Sequence, residues 1–346
     1  MSDLKINNIT NRSGDNGPTI AGVSTVSTSA FMVMPSGDVE IRGASSGRGI
    51  FAGMEPKAEH IDKIEIATTG NAVDFGDVRQ AKMATSATAS STRGVVFGGY
   101  AAPVYLDDID YIIVSSSGGI GDFGDLSSGR GWSAACGDGI KGLVGGSWPG
   151  PAAIEYVNIA TTGDASGFGE LSVRPAGFTG SQNGHEITGA CSSPTRGVWG
   201  GGAFGSPTTT GTNLIQFISI QSGGSSTKFG ELNNLSYGVS ASSNSTRGLF
   251  YGGRGPSPVH DTIDYITIAT EGNAIDFGDL LANRRDTAAC ASSTRGVVAG
   301  GKAPNSFDNV IQYVTITTTG NATDFGDLTS ARAQMGGFSD VHGGLG

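Results

Sequence analysis

The chain is short of cysteine, histidine, charge and long apolar runs, and each shortage removes a class of protein. Cys136, Cys191 and Cys290 are its only cysteines. They are too few and too widely spaced for a disulfide framework, and synthesis in a reducing cytoplasm is expected. The four histidines, His60, His185, His260 and His342, have no His or Cys neighbour at metal-ligand spacing, so no zinc site is expected. Charged residues make up 15% and the formal net charge is −10, with Lys and Arg scattered rather than clustered. A nucleic-acid partner needs a basic stripe to neutralise phosphate, and none is present. No apolar run approaches the roughly 18 residues of a membrane span, so membrane insertion is not expected. The opening residues "MSDLKINNITNRSGDNG" show no basic region followed by an apolar stretch, so no secretory leader is expected.

Glycine is abundant instead, with 58 residues in 346. It follows no Gly-X-Y period, which excludes collagen, and 37% hydrophobic residues leave enough material for a core. An excess of Gly, Ser and Thr points to many short strands joined by tight turns.

Two motifs repeat six times. Phe-Gly-Asp/Glu-Leu/Val starts at Phe75, Phe123, Phe168, Phe229, Phe277 and Phe325, in steps of 48, 45, 61, 48 and 48 residues. The second is a basic residue followed by Gly, an apolar run and Gly-Gly. It reads "TRGVVFGG" at 92–99, "TRGVWGGG" at 195–202, "TRGLFYGG" at 246–253 and "TRGVVAGG" at 294–301, with weaker copies at 47–54 and 140–147. Each unit parses into four strands: a small-residue segment such as "DTAACAS" (286–292), "GVVAGG", an alternating run such as "VIQYVTIT" (310–317), and "TDFGDL" (323–328). Four strands at a period near 50 residues specify a β-propeller, here six-bladed. The turn "TTGNA" (318–322) uses Gly and Asn as residues that tolerate positive φ.

The last unit ends at Leu328, and the tail "TSARAQMGGFSDVHGGLG" begins like an inner strand. The first unit lacks a convincing inner strand of its own. Residues 333–339 are therefore expected to complete the blade containing residues 49–78, closing the ring as a clasp. The domain boundaries follow: residues 1–45 form an N-terminal segment outside the repeat, and residues 46–346 form the propeller.

Residues repeated in every blade cannot mark a unique site. Arg48, Arg93, Arg196, Arg247 and Arg295 are expected to bind acidic or carbonyl groups between blades, and the same structural role is assigned to Asp77, Asp125, Glu170, Glu231, Asp279 and Asp327. These carboxylates, with Asp74, Asp122, Asp276 and Asp324, lack an oxygen-rich loop of EF-hand type, so no metal is expected. The three cysteines hold equivalent places on inner strands and are expected to be small packing residues. "GGGAFG" at 200–205 opens no helix, so it is not a dinucleotide fingerprint. No Ser is framed as a nucleophile elbow, and no cofactor or catalytic residue is expected.

The length changes between units fall on one face, in loops such as 100–108, 147–152, 203–213, 254–261 and 302–309, and in the insertion 173–187. Tyr100, Tyr105, Trp148, Phe178, Phe204, His260 and Phe307 give this loop face aromatic and polar anchors, a mixture suited to sugars or protein surfaces. The alternative is that they only cover the blade tops. Trp199 alternates within a strand and is assigned to the core.

The order of features resembles the kelch repeat: a strand ending in Gly-Gly, a Tyr-containing strand, a bulky aromatic, then a basic residue. Phe75 and its equivalents stand where kelch repeats carry Trp. Arg79, Arg130, Arg174, Arg284 and Arg332 take the basic place, with Tyr237 near it in the remaining unit. The whole chain also resembles virion-associated proteins of marine tailed bacteriophages, especially those infecting cyanobacteria. It shares their leader (Leu4 to Arg12) and their repeats of the "STRG…GG…DFGDL" kind. That resemblance implies a virion structural protein made in the host cytoplasm: a tail-fibre component, an adhesin or a capsid decoration. Residues 1–45 would dock on other virion proteins or complete β-structure by homo-oligomerisation. The propeller would face outward, towards host glycan or protein. A purely architectural role and a glycan-cleaving enzyme are the remaining alternatives.

Overall fold

A computed structural model describes residues 24–25, 32–33, 47–56, 59–115, 120–148, 152–172, 189–204, 210–255, 258–303 and 306–341. The chain divides into Met1–Ser46 and Gly47–Gly346. In the first unit Ser24–Thr25 pairs antiparallel with Met32–Val33.

The second unit is a six-bladed propeller of antiparallel, four-stranded blades. For blades 1 to 6 the inner strands are Gly336–Ser339, Ser86–Ala89, Ala134–Gly137, Gly189–Ser192, Ser240–Ser243 and Ala288–Ala291. The second strands are Arg48–Ala52, Arg93–Ala101, Lys141–Gly145, Arg196–Gly200, Arg247–Arg254 and Arg295–Ala299. The third are His60–Glu65, Val104–Ile113, Ala153–Asn158, Thr210–Ser219, Val259–Thr267 and Val310–Thr315. The outer strands are Val73–Asp77, Ile120–Asp125, Ser166–Glu170, Thr227–Ser236, Ile275–Asp279 and Thr323–Asp327. Each inner strand touches the next, and the sixth touches the first. The clasp is as expected: Gly336–Ser339 pairs with Arg48–Ala52, with Ile50 opposite Phe338 and Ala52 opposite Gly336.

Inner strands converge on the axis, so they carry small side chains. Ala87, Ala135, Ala190, Ala241, Ala289 and Gly337 form the waist of the central channel. The core lies in six clusters at the blade junctions. One joins Ile50, Ile61 and Phe75 of blade 1 to Val96 and Ile112 of blade 2, with Phe338 between them. The Gly after the basic residue is required by this packing. A Cβ at Gly94 would lie 2.2 Å from the Phe338 ring, one at Gly248 2.6 Å from Cys191 Sγ, and one at Gly49 2.7 Å from Cys290 Sγ. The cysteines are accordingly buried, free thiols that fill hollows in the next blade. Trp199 is fully buried, and its Nε1–H donates to the Ala134 carbonyl at 3.2 Å.

The Phe-Gly motif is a β-bulge. In every blade the third-to-outer pairing slips by one residue, as between Ile61/Asp62 and between Ile311/Gln312. The bulge turns Phe75 and its equivalents into the junction cores. Burial along "VIQYVTIT" does not alternate strictly, because each blade is covered on both faces: Ile311 packs towards blade 1 while Gln312 accepts the Leu281 N–H beyond blade 5.

Two belts tie neighbouring blades together. Arg48, Arg93, Lys141, Arg196, Arg247 and Arg295 each donate to a carbonyl at the end of the next blade's third strand, for example Arg247 Nη1 to Ile316 O at 2.7 Å and Arg295 Nη1 to Ile66 O at 2.9 Å. The carbonyl option is used in every blade, and Arg196 also lies 3.7 Å from Glu271 of the next blade. The second belt corrects the reading of "TTGNA". Its Asn does not adopt positive φ. Asn71, Asn273 and Asn321 instead accept, through Oδ1, the N–H of Asp327, Glu231 and Asp279 on the preceding blade's outer strand, each at 3.1 Å; Asp164 does the same for Asp125. The acidic row therefore joins these junctions through its backbone N–H rather than its carboxylates. The Gly of Phe-Gly makes room: a Cβ at Gly326 would lie 2.4 Å from Gly70 O.

A third set of contacts was hidden in the sequence. Asp62, Asp110, Glu155, Gln216, Asp264 and Gln312 hold one equivalent, buried place beside the bulge. Arg332 pairs with Asp62 at 2.6 Å, Lys82 and Arg79 with Asp110, and Arg130 with Glu155 at 2.7 Å. Asp264 receives only Asn233, through N at 3.0 Å and Nδ2 at 2.6 Å. Gln312 accepts the Leu281 N–H at 2.8 Å, and Arg284 of that blade pairs instead with Asp308. Arg79, Arg130 and Arg332, read as the basic place of the repeat, are thus partners of this position. Arg174 and His342 lie outside the described residues.

Candidate functional site

The channel opens on the loop face through a ring of left-handed residues. In blades 1, 2, 3, 5 and 6 the residue two places before the inner strand has positive φ: Gln334 (+57°), Ala84 (+57°), Trp132 (+52°), Gly238 (+68°) and Asp286 (+56°). Their backbones are linked: Ala84 N–H donates to Gln334 O, Trp132 to Ala84 O, Asp286 to Gly238 O and Gln334 to Asp286 O, at 2.8–3.0 Å. The cavity inside is about 100 Å³, with a second of about 60 Å³ beyond the waist. Both are far below the roughly 300–1,000 Å³ of small-molecule pockets. Recognition on this face must therefore use its surface.

The fold asks this ring position only for left-handed backbone, which Gly238 supplies without strain. Blade 3 places Trp132 there, a bulky side chain in a region that costs on the order of 1–3 kcal/mol for such residues. The indole serves a surface cluster. In blade 2 the second and third strands extend past the ring as a hairpin, placing Tyr100 opposite Tyr105. Their rings lie 4.8 Å apart, and Trp132 lies 5.9 Å from Tyr100, near parallel, and 6.1 Å from Tyr105. All three are half-buried. The hairpin packs closely over the entry to blade 3, where a Cβ at Gly129 would lie 2.2 Å from Tyr105 O.

Two of the seven sequence-predicted site residues, Tyr100 and Tyr105, thus share one platform. Trp148 is adjacent in the backbone, since it pairs with Gly131 beside Trp132. Phe307 stands in blade 6 with Lys302 Nζ 5.1 Å from its ring centroid. His260 stands in blade 5 against Ser236, away from the platform blades. Phe204 belongs to the short strand Ala203–Phe204, its side chain lying outside the described residues, as does the whole of Phe178. Trp132 was missed because it sits at the entry to an inner strand rather than in a length-variable loop. Its sequence signal is the comparison across repeats: Ala, Trp, Gly, Asp and Gln at one position.

The side of blades 5, 6 and 1 is charged. Lys302 pairs with Glu55 at 2.5 Å, Arg285 with Asp286, and Arg254 lies 6.0 Å over the Tyr237 ring. Burial pushes the Asp286 carboxyl above the usual aspartate range, partly offset by Arg285 and Lys302.

Two constellations look chemical. Ser236 touches His260 Nε2, but Ser236 is 1% exposed, and no group among the described residues hydrogen-bonds His260 Nδ1. Burial lowers the His260 pKa, and the triad's third member is missing. Asp107, Asp108 and Asp125 bring ligand atoms within 4.8 Å of one another. Partial desolvation and then the neighbouring aspartates raise the Asp125 pKa. Arg79 already supplies a cation beside this group, 3.9 Å from Asp108 and 3.1 Å from Asp122. No helix among the described residues is long and apolar enough to cross a membrane. Compared with protein-family models the chain finds no match, and compared with curated proteins it likewise finds none.

Proposed function

We propose that the chain is a structural protein of a tailed-phage virion, made in the host cytoplasm, that binds rather than catalyses. Residues 1–45 dock on other virion proteins, and the propeller is displayed outward with its loop face towards the host surface, glycan or protein. The virion assignment is supported by the resemblance of the leader and the repeats. The binding role is carried by one observation: the Tyr100–Tyr105–Trp132 platform sets an indole at a ring position that needs only left-handed backbone and that no other described blade fills with an aromatic. Rigid rings displayed on a scaffold lose little entropy on contact, which suits them to recognition.

The test is adsorption of the full-length protein to cyanobacterial cells and competition with phage infection. Adsorption and blocking support the reading; neither would count against receptor binding. A purely architectural role is favoured by the two hydrogen-bonded belts, which make a stiff ring with a nearly filled channel. In that case deleting residues 1–45 abolishes incorporation into particles while adsorption assays stay silent.

A further inference from the structure

We infer that the Tyr100–Tyr105–Trp132 platform takes a neutral pyranose sugar, stacked face-on against an aromatic ring, at one site per propeller. This rests on the loop face being the binding surface.

Four features select that ligand class. The three rings are packed against each other at 4.8–6.1 Å, one pair stacked and two tilted, which leaves no gap between them for a cation, so they form a closed aromatic cluster rather than a cage. The adjoining channel mouth, about 100 Å³, is too small to swallow a ligand, so the partner lies on the rings. A pyranose presents a flat C–H face of matching size, with hydroxyls at its edge free to meet the polar mouth. Charge removes acidic partners. Asp107 and Asp108 lie two and three residues from Tyr105 on the same strand, with Asp125 opposite Asp108 on the next; Arg79 offsets Asp108 and Asp122 in part, and the whole chain carries −10. Anionic glycans, phosphate-bearing polymers and acidic lipids are repelled there. The same aspartates work against a protein partner, whose interface would need about 800 Å² with a core depleted of charge. The platform is a small aromatic island in an acidic surround.

No other described blade repeats the arrangement. At the other described junctions the positions of Tyr100 and Trp132 are taken by Glu55 and Ala84 between blades 1 and 2, by Arg254 and Asp286 between blades 5 and 6, and by Lys302 and Gln334 between blades 6 and 1. A single shallow site gives weak binding on its own, and several copies on one particle would raise it by avidity.

The experiment uses the full-length protein on an immobilised panel of gluco-, galacto- and manno-configured neutral oligosaccharides beside uronic-acid and sulfated ones. It is paired with adsorption to cells before and after periodate oxidation of vicinal diols. The expected result is binding to neutral members, periodate-sensitive adsorption, and at least a tenfold loss in Trp132→Ala. That variant keeps its backbone, because Ala84 already adopts the same conformation in blade 2. The double variant Tyr100→Ser/Tyr105→Ser gives the same loss without touching the ring position. Adsorption that survives periodate but not protease would overturn the inference while sparing the host-binding reading. So would preference for acidic sugars, or full sugar binding by folded Trp132→Ala. Absence of both panel binding and adsorption would remove the two together.

Discussion

Asp62 and Asp264 occupy one equivalent place in their blades and keep opposite electrostatic company. Asp62 and its partner Arg332 are both fully buried, so Asp62→Asn strands an uncompensated guanidinium and should cost about 3 kcal/mol or more in urea unfolding. Asp264 is hydrogen-bonded by the neutral Asn233, and burial, with Asp276 nearby, raises its pKa despite those bonds. A carboxyl whose folded pKa lies above its unfolded value binds its proton more tightly in the native state. Stability from this source is therefore greatest below the ordinary aspartate value of about 4 and declines as pH rises through the folded pKa. Asp264→Asn should be at least as stable as the parent at pH 7, and its advantage should vanish near pH 4. Asp286 acts in the same direction. Gln216 and Gln312 show that an amide fits this position. Its identity runs Asp, Asp, Glu, Gln, Asp, Gln, so no single letter repeats, and the sequence concealed it inside an apolar run. Glycine after the basic residue repeats without exception and was easy to see, but its cause was not, because the Phe338 ring reaches Gly94 from the far end of the chain. Gly94→Ala should cost about 1–3 kcal/mol by overpacking, read as a lowered urea midpoint with an unchanged slope.

At the level of strands and turns, the clasp bears most on stability. Gly336–Ser339 supplies a full ladder to Arg48–Ala52, and Phe338 fills the junction between blades 1 and 2. Deleting residues 333–346 removes that core residue and leaves a sheet edge facing the channel. The loss should reach about 4 kcal/mol or more, whereas a truncated protein that melts normally would refute the closure. The clasp was legible because the half-unit at each end of the repeat demanded it. The bulge was not, since a one-residue slip at Phe325 leaves the composition of the outer strand unchanged. The candidate site divides in the same way. Tyr100 and Tyr105 were found because their hairpin projects past the ring, while Trp132 follows the regular spacing and betrays itself only by its bulk.

Over the whole ring, no blade is stabilised alone. Each junction shares a hydrophobic cluster, and every second strand's basic residue holds the following blade. A linear repeat array can fray from its termini, but here the sixth blade is held by the first. Gly47–Gly346 should accordingly unfold in one transition, with near- and far-ultraviolet circular dichroism superimposing on heating. Separate transitions would show that the belts do not couple the blades. The clasp also orders events in time. The strand completing the first blade is synthesised after every other strand of the ring, so a nascent chain carries one open, unsatisfied sheet edge until Gly336–Ser339 leaves the ribosome. Closure is thereby a checkpoint on the ring: a product terminated before Gly336 presents that edge to proteases and chaperones.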